Sequence, residues 1–490
     1  MMNFNLKSIF LALFISILGN ITSNAQVGIG TVTPNASSIL DVTSTTKGML
    51  TPRMTTAQKT AIATPTDGLI VYDTDLKSFY YYNSTTSLWV KINSEADGRL
   101  KYKLIKSTDV LATVLATELA AGSGTKYLLD TGTLYEINGT IILNLPIELN
   151  NAYLTGYDSG EDKLIKSTGD MFTGSTGGTV RVLTLVASAG NIFNIDGAGT
   201  ANMIFRDCIV ASSANVGLLK NFSLVFLSIV QFVGNTTGIT YENVTKLLLS
   251  NTAWFGNNAG TYEKLVGTFG LVTKQGGFSE VVGTSIGFDV STNPTVSGDA
   301  VFEGTVFTGT LTTGKYVNPY TVGTYTGYSF NNKWNVRCAG VATESDNVAV
   351  GDINFDYPVG SGASTTLTPT GTNIKLAGVT TSNNLFRFSR GGVDNRLQYL
   401  GSKKRFFRVS GAASFQANAT GTIYLFFIAK NGTVINSSKV YINSNSTSDV
   451  LALPIEAIVE LSANDYIEVF AQRFSGTGNA LTVSMNLVVN

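Results

Sequence analysis

The chain has 490 residues with 33 basic and 33 acidic side chains, 50 glycines and no histidine. Zero net charge leaves no broad positive field to recruit nucleic acid, and the lack of histidine excludes Ser-His-Asp hydrolysis and histidine-ligated zinc chemistry. Only 13% of the residues are charged. Together with the many glycines and small polar residues, this composition indicates an all-β protein with an extracellular surface.

The first 25 residues are predicted to be a secretory signal peptide. Lys7 precedes an apolar run from Ile9 to Leu18, and Ser23 and Ala25 place small residues before a cleavage site at Gln26. The run is about half of the ~20 apolar residues that a membrane-spanning helix needs. We therefore expect a secreted protein on the cell surface, with no membrane span; the alternative is an uncleaved apolar tip.

Residues 26–93 are predicted to form a small β-structured connector. The segment carries the runs Val27–Thr31, Pro52–Gln58, Asp67–Asp75 and Phe79–Asn83 in that order. This order of motifs resembles the N-terminal module of secreted fibre-like surface proteins of Bacteroidetes bacteria and tail-fibre proteins of their phages. The resemblance implies an extracellular, trimeric connector, or a place on the virion if a phage encodes the chain.

Residues 94–125 are predicted to hold a linker and one amphipathic helix. Ser107 or Thr108 would cap the helix, Val110 to Leu119 would supply its apolar face, and Gly122 would end it. We expect this helix to cover the open end of the β-structure that follows.

Residues 126–335 are predicted to form a right-handed parallel β-helix. The evidence is a repeat of apolar runs that start 21, 21 and 23 residues apart, each followed by a Gly, Asn or Ser turn. Short β-rich units of this spacing bury their apolar faces only by stacking on copies of themselves. The runs are Val182–Val186, Met203–Phe205, Leu224–Leu227 and Leu247–Leu249. The region resembles the pectate-lyase-like β-helix of phage tailspikes and bacterial surface proteins.

Two acids are the candidates for catalysis if this region is an enzyme. Glu242 and Glu263 lie 21 residues apart, which would stack them on adjacent coils. Isolated acids on a solvated corner are the ordinary alternative, and we predict no catalysis, no metal and no cofactor. Cys208 lies in a predicted buried run, which favours a free thiol over a disulfide.

The C-terminal residues 385–490 are predicted to form a jelly-roll knob, after a connector at 336–384. Six long alternating runs, among them Ile423–Ile428 and Tyr466–Phe470, indicate strands, and Ala429–Gly432 is a hairpin signal. The runs Phe427–Thr433 and Asn464–Val469 resemble the trimeric head domains of phage fibre and neck proteins, which are similar in shape to tumour-necrosis-factor-like knobs. This resemblance implies a homotrimer.

A cluster of basic residues marks the entrance to the knob. It can be interpreted as a collar that binds acidic glycans or lipopolysaccharide phosphates. The alternatives are a solvated strand face, or cations paired across a trimer seam. The residues are Arg387, Arg390, Arg396, Lys403, Lys404, Arg405 and Arg408.

Three functions are compatible with these patterns. The first is a non-enzymatic, trimeric extracellular fibre or adhesin that binds a surface carbohydrate or another surface polymer. The second is a β-helix polysaccharide lyase or glycoside hydrolase that acts through Glu242 and Glu263. The third is a purely structural, phage-like tail component. We favour the first.

Overall fold

The computed structural model describes residues 6–18, 26–92 and 100–490, and the chain divides into two compact units, residues 1–99 and 100–490. In the first unit, helix α1 (Leu6–Leu18) contains the predicted apolar run. None of the helices in the described ranges has the length and apolar character needed to cross a membrane. The predicted cleavage-site residues Ser23 to Ala25 lie outside the described residues.

The rest of the first unit is a small β-structure. A parallel strand pair precedes a four-stranded sheet of order β3-β4-β5-β6. One helical turn between β3 and β4 begins with a capping box, in which Thr55 and Gln58 satisfy each other's backbone amides. The elements are β1 (Val27–Ile29), β2 (Leu40–Val42), β3 (Arg53–Met54), α2 (Thr56–Thr60), β4 (Ile70–Asp73), β5 (Ser78–Asn83) and β6 (Leu88–Lys91).

The second unit begins with a parallel β-solenoid of about eight turns. Its strands stack into a 14-stranded and a nine-stranded sheet that enclose one apolar core. The elements are β7 (Tyr102–Lys106), α3 (Leu111–Val114), α4 (Ala116–Ala121), β8 (Tyr127–Leu128), β9 (Leu134–Asn138), β10 (Thr140–Ile142), β11 (Ile147–Glu148), β12 (Tyr153–Thr155), β13 (Lys163–Lys166), β14 (Phe172–Gly174), β15 (Gly178–Arg181), β16 (Thr184–Ala187), β17 (Asn191–Asp196), β18 (Asn202–Ala211), β19 (Asn215–Lys220), β20 (Leu224–Val233), β21 (Thr237–Glu242), β22 (Lys246–Trp254), β23 (Thr261–Val266), β24 (Thr268–Phe269), β25 (Leu271–Gln275), β26 (Phe278–Glu280), β27 (Ile286–Asp289), β28 (Thr295–Val296), β29 (Ala300–Thr308), β30 (Lys315–Asn318) and β31 (Trp334–Ala339).

The predicted all-β fold with a parallel solenoid is confirmed, but the register within the repeat differs. The first run, Val182–Val186, stacks on Ile209 and Val210 and not on Met203–Phe205. The later runs are shifted by one residue. Val225 stacks on Met203, and Leu247 stacks on Val225, a step of 22 residues. The apolar runs place Leu224 one position too early because they are continuous and do not show which residue points inward. Phe226 and Leu248, which lie between inward-facing positions, face outward and are half-buried.

The corners of the coils are held by a ladder of buried polar side chains. Asn235 donates from Nδ2 to the Oδ1 atom of Asn258 at 2.9 Å, and accepts from the amide of Ser213 at 3.1 Å. Gly234 has a φ of 67°, a left-handed conformation that glycine adopts without strain. The predicted turn at Gly234-Asn235 is therefore confirmed.

The capping helix differs from its prediction. Two short helices, α3 and α4, replace the single helix, and they break at Leu115, whose φ of −107° and ψ of 30° are not helical. Val110 holds the N-cap position instead of Ser107 or Thr108, whereas Gly122 ends the second helix as predicted. Leu115 is buried in the solenoid core, so the break turns this side chain inward.

A sandwich of two antiparallel sheets follows the solenoid in the same unit, with six and seven strands around a second apolar core. Three of its strands, β32 to β34, come from the segment predicted to be a connector. The elements are a 3₁₀ turn (Asp346–Val348), β32 (Val350–Asp356), β33 (Ala363–Thr365), β34 (Ile374–Lys375), β35 (Leu385–Phe386), β36 (Phe388–Ser389), β37 (Leu397–Tyr399), β38 (Arg405–Ala417), β39 (Ile423–Lys430), β40 (Thr433–Val434), a second 3₁₀ turn (Asn436–Ser438), β41 (Val440–Asn443), β42 (Val450–Leu461), β43 (Tyr466–Ser475) and β44 (Ala480–Val489).

Candidate binding site at the end of the solenoid

The last strands of the solenoid present a group of outward-facing side chains, most of them polar. Strand β29 pairs with β31 in parallel, and this register sets Val301 beside Asn335 and Glu303 beside Arg337. Alternate residues of a strand point to the same face, so these four side chains share the outer surface. Asn335 and Arg337 are exposed. The solenoid therefore ends in a polar platform.

The sandwich is attached to this platform through a buried arginine. Arg387 lies between β35 and β36 with a φ of 57°, and its side chain is almost fully buried. Its Nη1 atom donates to Asp346, and its Nη2 atom donates to the backbone oxygens of Trp334 and Glu344. These bonds connect the sandwich directly to the last solenoid strand.

Asp346 is held by several donors at once. One of its oxygens accepts from Arg387, and the other accepts from the amides of Ser402 and Lys403 and from the hydroxyl of Ser402. Burial raises the pKa of the neighbouring Glu344, while hydrogen bonds from the amides of Ser329 and Phe330 and the charge of Arg387 act in the opposite direction. Both acids therefore serve to order the loops at the junction.

A cavity of about 320 Å³ opens at this junction. Its wall combines carboxylates, cations, amides and hydroxyls from the solenoid and the sandwich. It is lined by Asp299, Ala300, Val301, Lys333, Trp334, Asn335, Ser345, Asp346, Asn347, Arg387, Ser402 and Lys403. A second cavity of about 210 Å³ is lined by Glu303, Arg337 and Thr343, and it shares Asn335, Ser345 and Asn347 with the first. The two cavities therefore adjoin, and we call them together the junction groove.

Two exposed ion pairs border the junction groove. Lys403 Nζ lies 3.3 Å from Asp299 Oδ1, with both side chains more than 60% exposed. Arg337 pairs with Glu303 across the neighbouring strands. Exposed pairs contribute about 0–1 kcal/mol each, so a polar ligand can displace them at little cost. Within the described ranges, no group of three or more His, Cys, Asp or Glu side chains is arranged to hold a metal ion.

The structure disperses the seven basic residues predicted to form a collar. Arg387 and Lys403 line the junction groove. Three others pair with acids away from the groove: Arg396 contacts Glu468 at 3.1 Å, Lys404 contacts Glu460 at 3.1 Å, and Arg408 contacts Glu456 at 3.3 Å. Arg405 donates to the backbone oxygen of Asp346, a groove residue. Arg390 is half-buried and forms no ion pair with the described residues. The partner acids come from distant parts of the sequence, which made the charge balance look one-sided.

The two acids considered for catalysis are not brought together. Glu263 lies opposite Ile239 in the register of β21 and β23, and Glu242 lies opposite Val266. Glu263 points into the core and is fully buried beside Lys274, whereas Glu242 points outward and contacts Lys220 at 2.9 Å. The expected stacking is therefore wrong, because an odd offset of three residues places the two side chains on opposite faces of the sheet.

Both cysteines are free and buried, as predicted for Cys208. Burial raises the pKa of the Cys208 thiol to about 12. Neither cysteine lines the junction groove. No sequence pattern indicates the groove itself, because its residues come from segments that lie up to 104 positions apart, as in the pair of Lys403 and Asp299.

Comparison with known proteins connects part of the chain to phage tails. Residues 28–108 match the family described as "Phage tail like trimerisation region". The resemblance of the N-terminal segment to phage tail proteins is thereby confirmed, and together with the solenoid it makes the chain tail-fibre-like. No curated protein matches the chain.

The solved structures that are similar to the chain at low identity include the following three. The tailspike protein 4 enzymatically active domain of bacteriophage CBA120 is 11% identical with a TM-score of 0.27, covering 89% of this chain and 77% of that one. The tailspike protein of Acinetobacter baumannii phage AM24 is 9% identical with a TM-score of 0.19, covering 86% and 91%. Rabbit GITRL is 12% identical with a TM-score of 0.17, covering 29% and 92%. TM-scores of this size do not establish a shared fold.

Proposed function

We propose that the chain is a trimeric, extracellular fibre protein that binds an acidic surface saccharide in the junction groove. The observation that carries the proposal is the groove itself, in which amides, hydroxyls and cations surround two adjoining cavities. The larger cavity, at about 320 Å³, lies at the lower end of the range of ~300–1,000 Å³ that is typical of ligand sites.

The polar lining suits a hydroxyl-rich polymer. Asn335 and Asn347 are exposed at the boundary shared by both cavities, and each amide supplies donors and an acceptor to sugar hydroxyls. Thr343 and Ser402 add hydroxyls on either side. Two adjoining cavities accommodate successive sugar units better than one compact metabolite.

The charges favour an acidic sugar over a neutral one. Asp346 is neutralised by Arg387, and Asp299 is matched by Lys403. Lys333 is exposed, reaches only the backbone oxygen of Ser297 at 3.4 Å, and forms no ion pair with the described residues. Its ammonium group is therefore available to a carboxylate or phosphate of the ligand.

Spacing argues for binding over hydrolysis. Asp299 and Glu303 are acids of the groove that are open to solvent, and they lie four residues apart, one just before β29 and one within it. At ~3.3 Å per residue their backbones are ~13 Å apart, so their carboxyl groups reach the ~5–9.5 Å of glycosidase pairs only if both side chains lean toward each other. In the structure the two carboxylates face the cations Lys403 and Arg337 and not each other.

The trimer is proposed from the family match and from an apolar column on the solenoid. Ile204, Phe226 and Leu248 stack in register on the outer face of successive coils and are half-buried. Contiguous apolar side chains on an outer face are typical of contacts between proteins. We propose that copies of the chain pack along this column. We also propose that the N-terminal apolar segment directs secretion of the protein.

Binding is tested with the full-length protein and a panel of acidic and neutral oligosaccharides, by titration calorimetry. Replacing both Asn335 and Asn347 by alanine removes hydrogen bonds of ~1 kcal/mol each and should weaken binding at least about tenfold. Asn202→Ala, an exposed asparagine on an earlier coil, is the matched control. Release of reducing ends would favour the depolymerase, and no binding by any saccharide would leave the purely structural function.

A further inference from the structure

The interior of the solenoid contains a lysine and a glutamate that are completely shielded from water. Lys274 Nζ lies 2.7 Å from Glu263 Oε2, and both side chains are 0% exposed. They belong to different sheets, Glu263 to β23 and Lys274 to β25, and meet across the core. Such burial is rare for either residue type, so this pair needs a physical explanation.

The residues stacked on the pair in the neighbouring coils are apolar. Glu263 is stacked between Ile239 and Phe288 on the neighbouring coils. Lys274 is stacked between Leu249 and Phe302. An ion pair in such surroundings loses several kcal/mol per ion in hydration, which is recovered only if further hydrogen bonds satisfy the remaining lone pairs and protons.

Those further hydrogen bonds are missing on the carboxylate. Lys274 Nζ donates to Thr252 Oγ1 at 2.8 Å. Within the described part of the chain, neither Glu263 oxygen accepts a hydrogen bond, although Nζ is so close. The amine therefore approaches the carboxyl group from a direction unsuited to a hydrogen bond, and the geometry stabilises the charged pair poorly.

We propose that Lys274 and Glu263 are joined by an isopeptide bond inside the solenoid. Transfer of one proton within the pair gives a neutral amine and a neutral carboxylic acid. The Nζ lone pair then attacks Glu263 Cδ, an Nζ–Cδ bond forms, the bond from Cδ to its hydroxyl oxygen breaks, and that oxygen leaves with two protons as water. No oxidant, reductant or further reactant is needed.

Two physical factors favour the condensation. The fold holds the amine and the carboxyl group in contact, so the reaction needs no bimolecular encounter. For well-oriented groups this is equivalent to an effective concentration of up to ~10⁵–10⁸ M. The product amide is uncharged, so forming it removes both buried charges from the apolar core. The bond would connect the two sheets of the solenoid at this coil.

A second buried pair in the first unit provides an internal comparison. Lys59 Nζ also lies 2.7 Å from a carboxylate oxygen, that of Asp73. Here the carboxylate accepts bonds from Lys59, from the Thr56 hydroxyl and from the amides of Asp75 and Leu76. Burial raises the pKa of Asp73, but these hydrogen bonds outweigh it and lower it to about 2. This carboxylate is well stabilised, so we expect the pair to stay ionic.

The mass of the purified full-length protein tests the proposal. We expect the intact protein to be lighter than its sequence by one water molecule. Trypsin cannot cleave after a modified lysine, so digestion should yield residues 247–264 joined to residues 265–315 through Glu263 and Lys274. Tandem mass spectrometry of this branched peptide locates the bond and distinguishes it from dehydration elsewhere.

Two variants and the internal comparison complete the experiment. Glu263→Ala and Lys274→Met should each abolish the branched peptide and the loss of water. Peptides that contain Lys59 and Asp73 should remain unlinked. A full sequence mass for the unsubstituted protein, with separate peptides ending at Lys264 and Lys274, overturns the proposal whether or not the variants fold.

Discussion

Replacing Phe205 by alanine tests the register of the solenoid most directly. The Phe205 side chain is fully buried, with Val180 and Leu227 in register on the adjoining coils and the ring of Phe193 5.2 Å away across the core. Removing a buried phenylalanine ring costs about 3–5 kcal/mol. Backbone hydrogen bonds fix neighbouring strands ~4.8 Å apart, so the coils cannot close the space that the ring leaves. We therefore expect the upper half of the range, about 4–5 kcal/mol.

The next residue provides the control. Arg206 points outward and pairs with Asp207 at 2.7 Å in an exposed position. Arg206→Ala should therefore cost no more than about 1 kcal/mol. Urea unfolding followed by circular dichroism measures both variants. Equal losses, or a larger loss for Arg206→Ala, would show that the strand is shifted by one residue, because such a shift exchanges the two faces.

Three further outcomes follow from named contacts. Phe226→Asp puts an unpaired charge into the apolar column, which should destabilise each contact between copies by ~3 kcal/mol. Light scattering should then detect monomers in place of trimers. Ser250→Asp, on the same face, should remain trimeric. The pKa of Asp73 is lowered from its usual 3.8 to about 2 in the folded protein. The ionised carboxylate therefore stabilises the folded state fully above pH 3.8, and this stabilisation is lost as the pH falls toward 2. Asp73→Asn should abolish this pH dependence when the stability is measured in an acid titration. Cys208, with its pKa raised to about 12 by burial, should resist alkylation at pH 8 until the protein is unfolded, and rapid labelling of the native protein would contradict its placement.

The sequence predicts the solenoid well because coil stacking repeats the same physical requirement every turn. Inward apolar side chains and tight corners recur at a nearly constant step, and Gly234 shows this clearly. The register is less visible, because Ile204, Phe226 and Leu248 are apolar although they face outward. Outward apolar residues have the same hydropathy as core residues, so the sequence does not show which residues of these runs point inward.

Pairing of charges is still harder to predict. Glu263 looked like a surface acid, since burial of a carboxylate requires a partner that the sequence does not identify. Its partner Lys274 lies only eleven positions away, but on the opposite sheet. The basic residues near the sandwich are matched by acids such as Glu456 and Glu468, which strand pairing alone brings close. Composition along the chain therefore predicts the class of fold and leaves the electrostatics of the site open.

Arg387 links the groove to the stability of the whole second unit. Its guanidinium contacts Asp346 and two backbone oxygens of the solenoid end, all buried. Removing one partner of a buried ion pair costs about 3–5 kcal/mol. In Arg387→Met we expect the sandwich to unfold in a separate, earlier thermal transition, and to become cleavable by protease near residues 339–350.

The same substitution should also weaken saccharide binding, because Arg387 lines the groove. Arg390→Met is the matched control, since this arginine is three positions away and forms no ion pair with the described residues. A single unchanged transition in Arg387→Met, with unchanged binding, would mean that the sandwich is held by its apolar contacts alone. An earlier transition together with weaker binding would show that the buried guanidinium of Arg387 both joins the sandwich to the solenoid and shapes the groove between them.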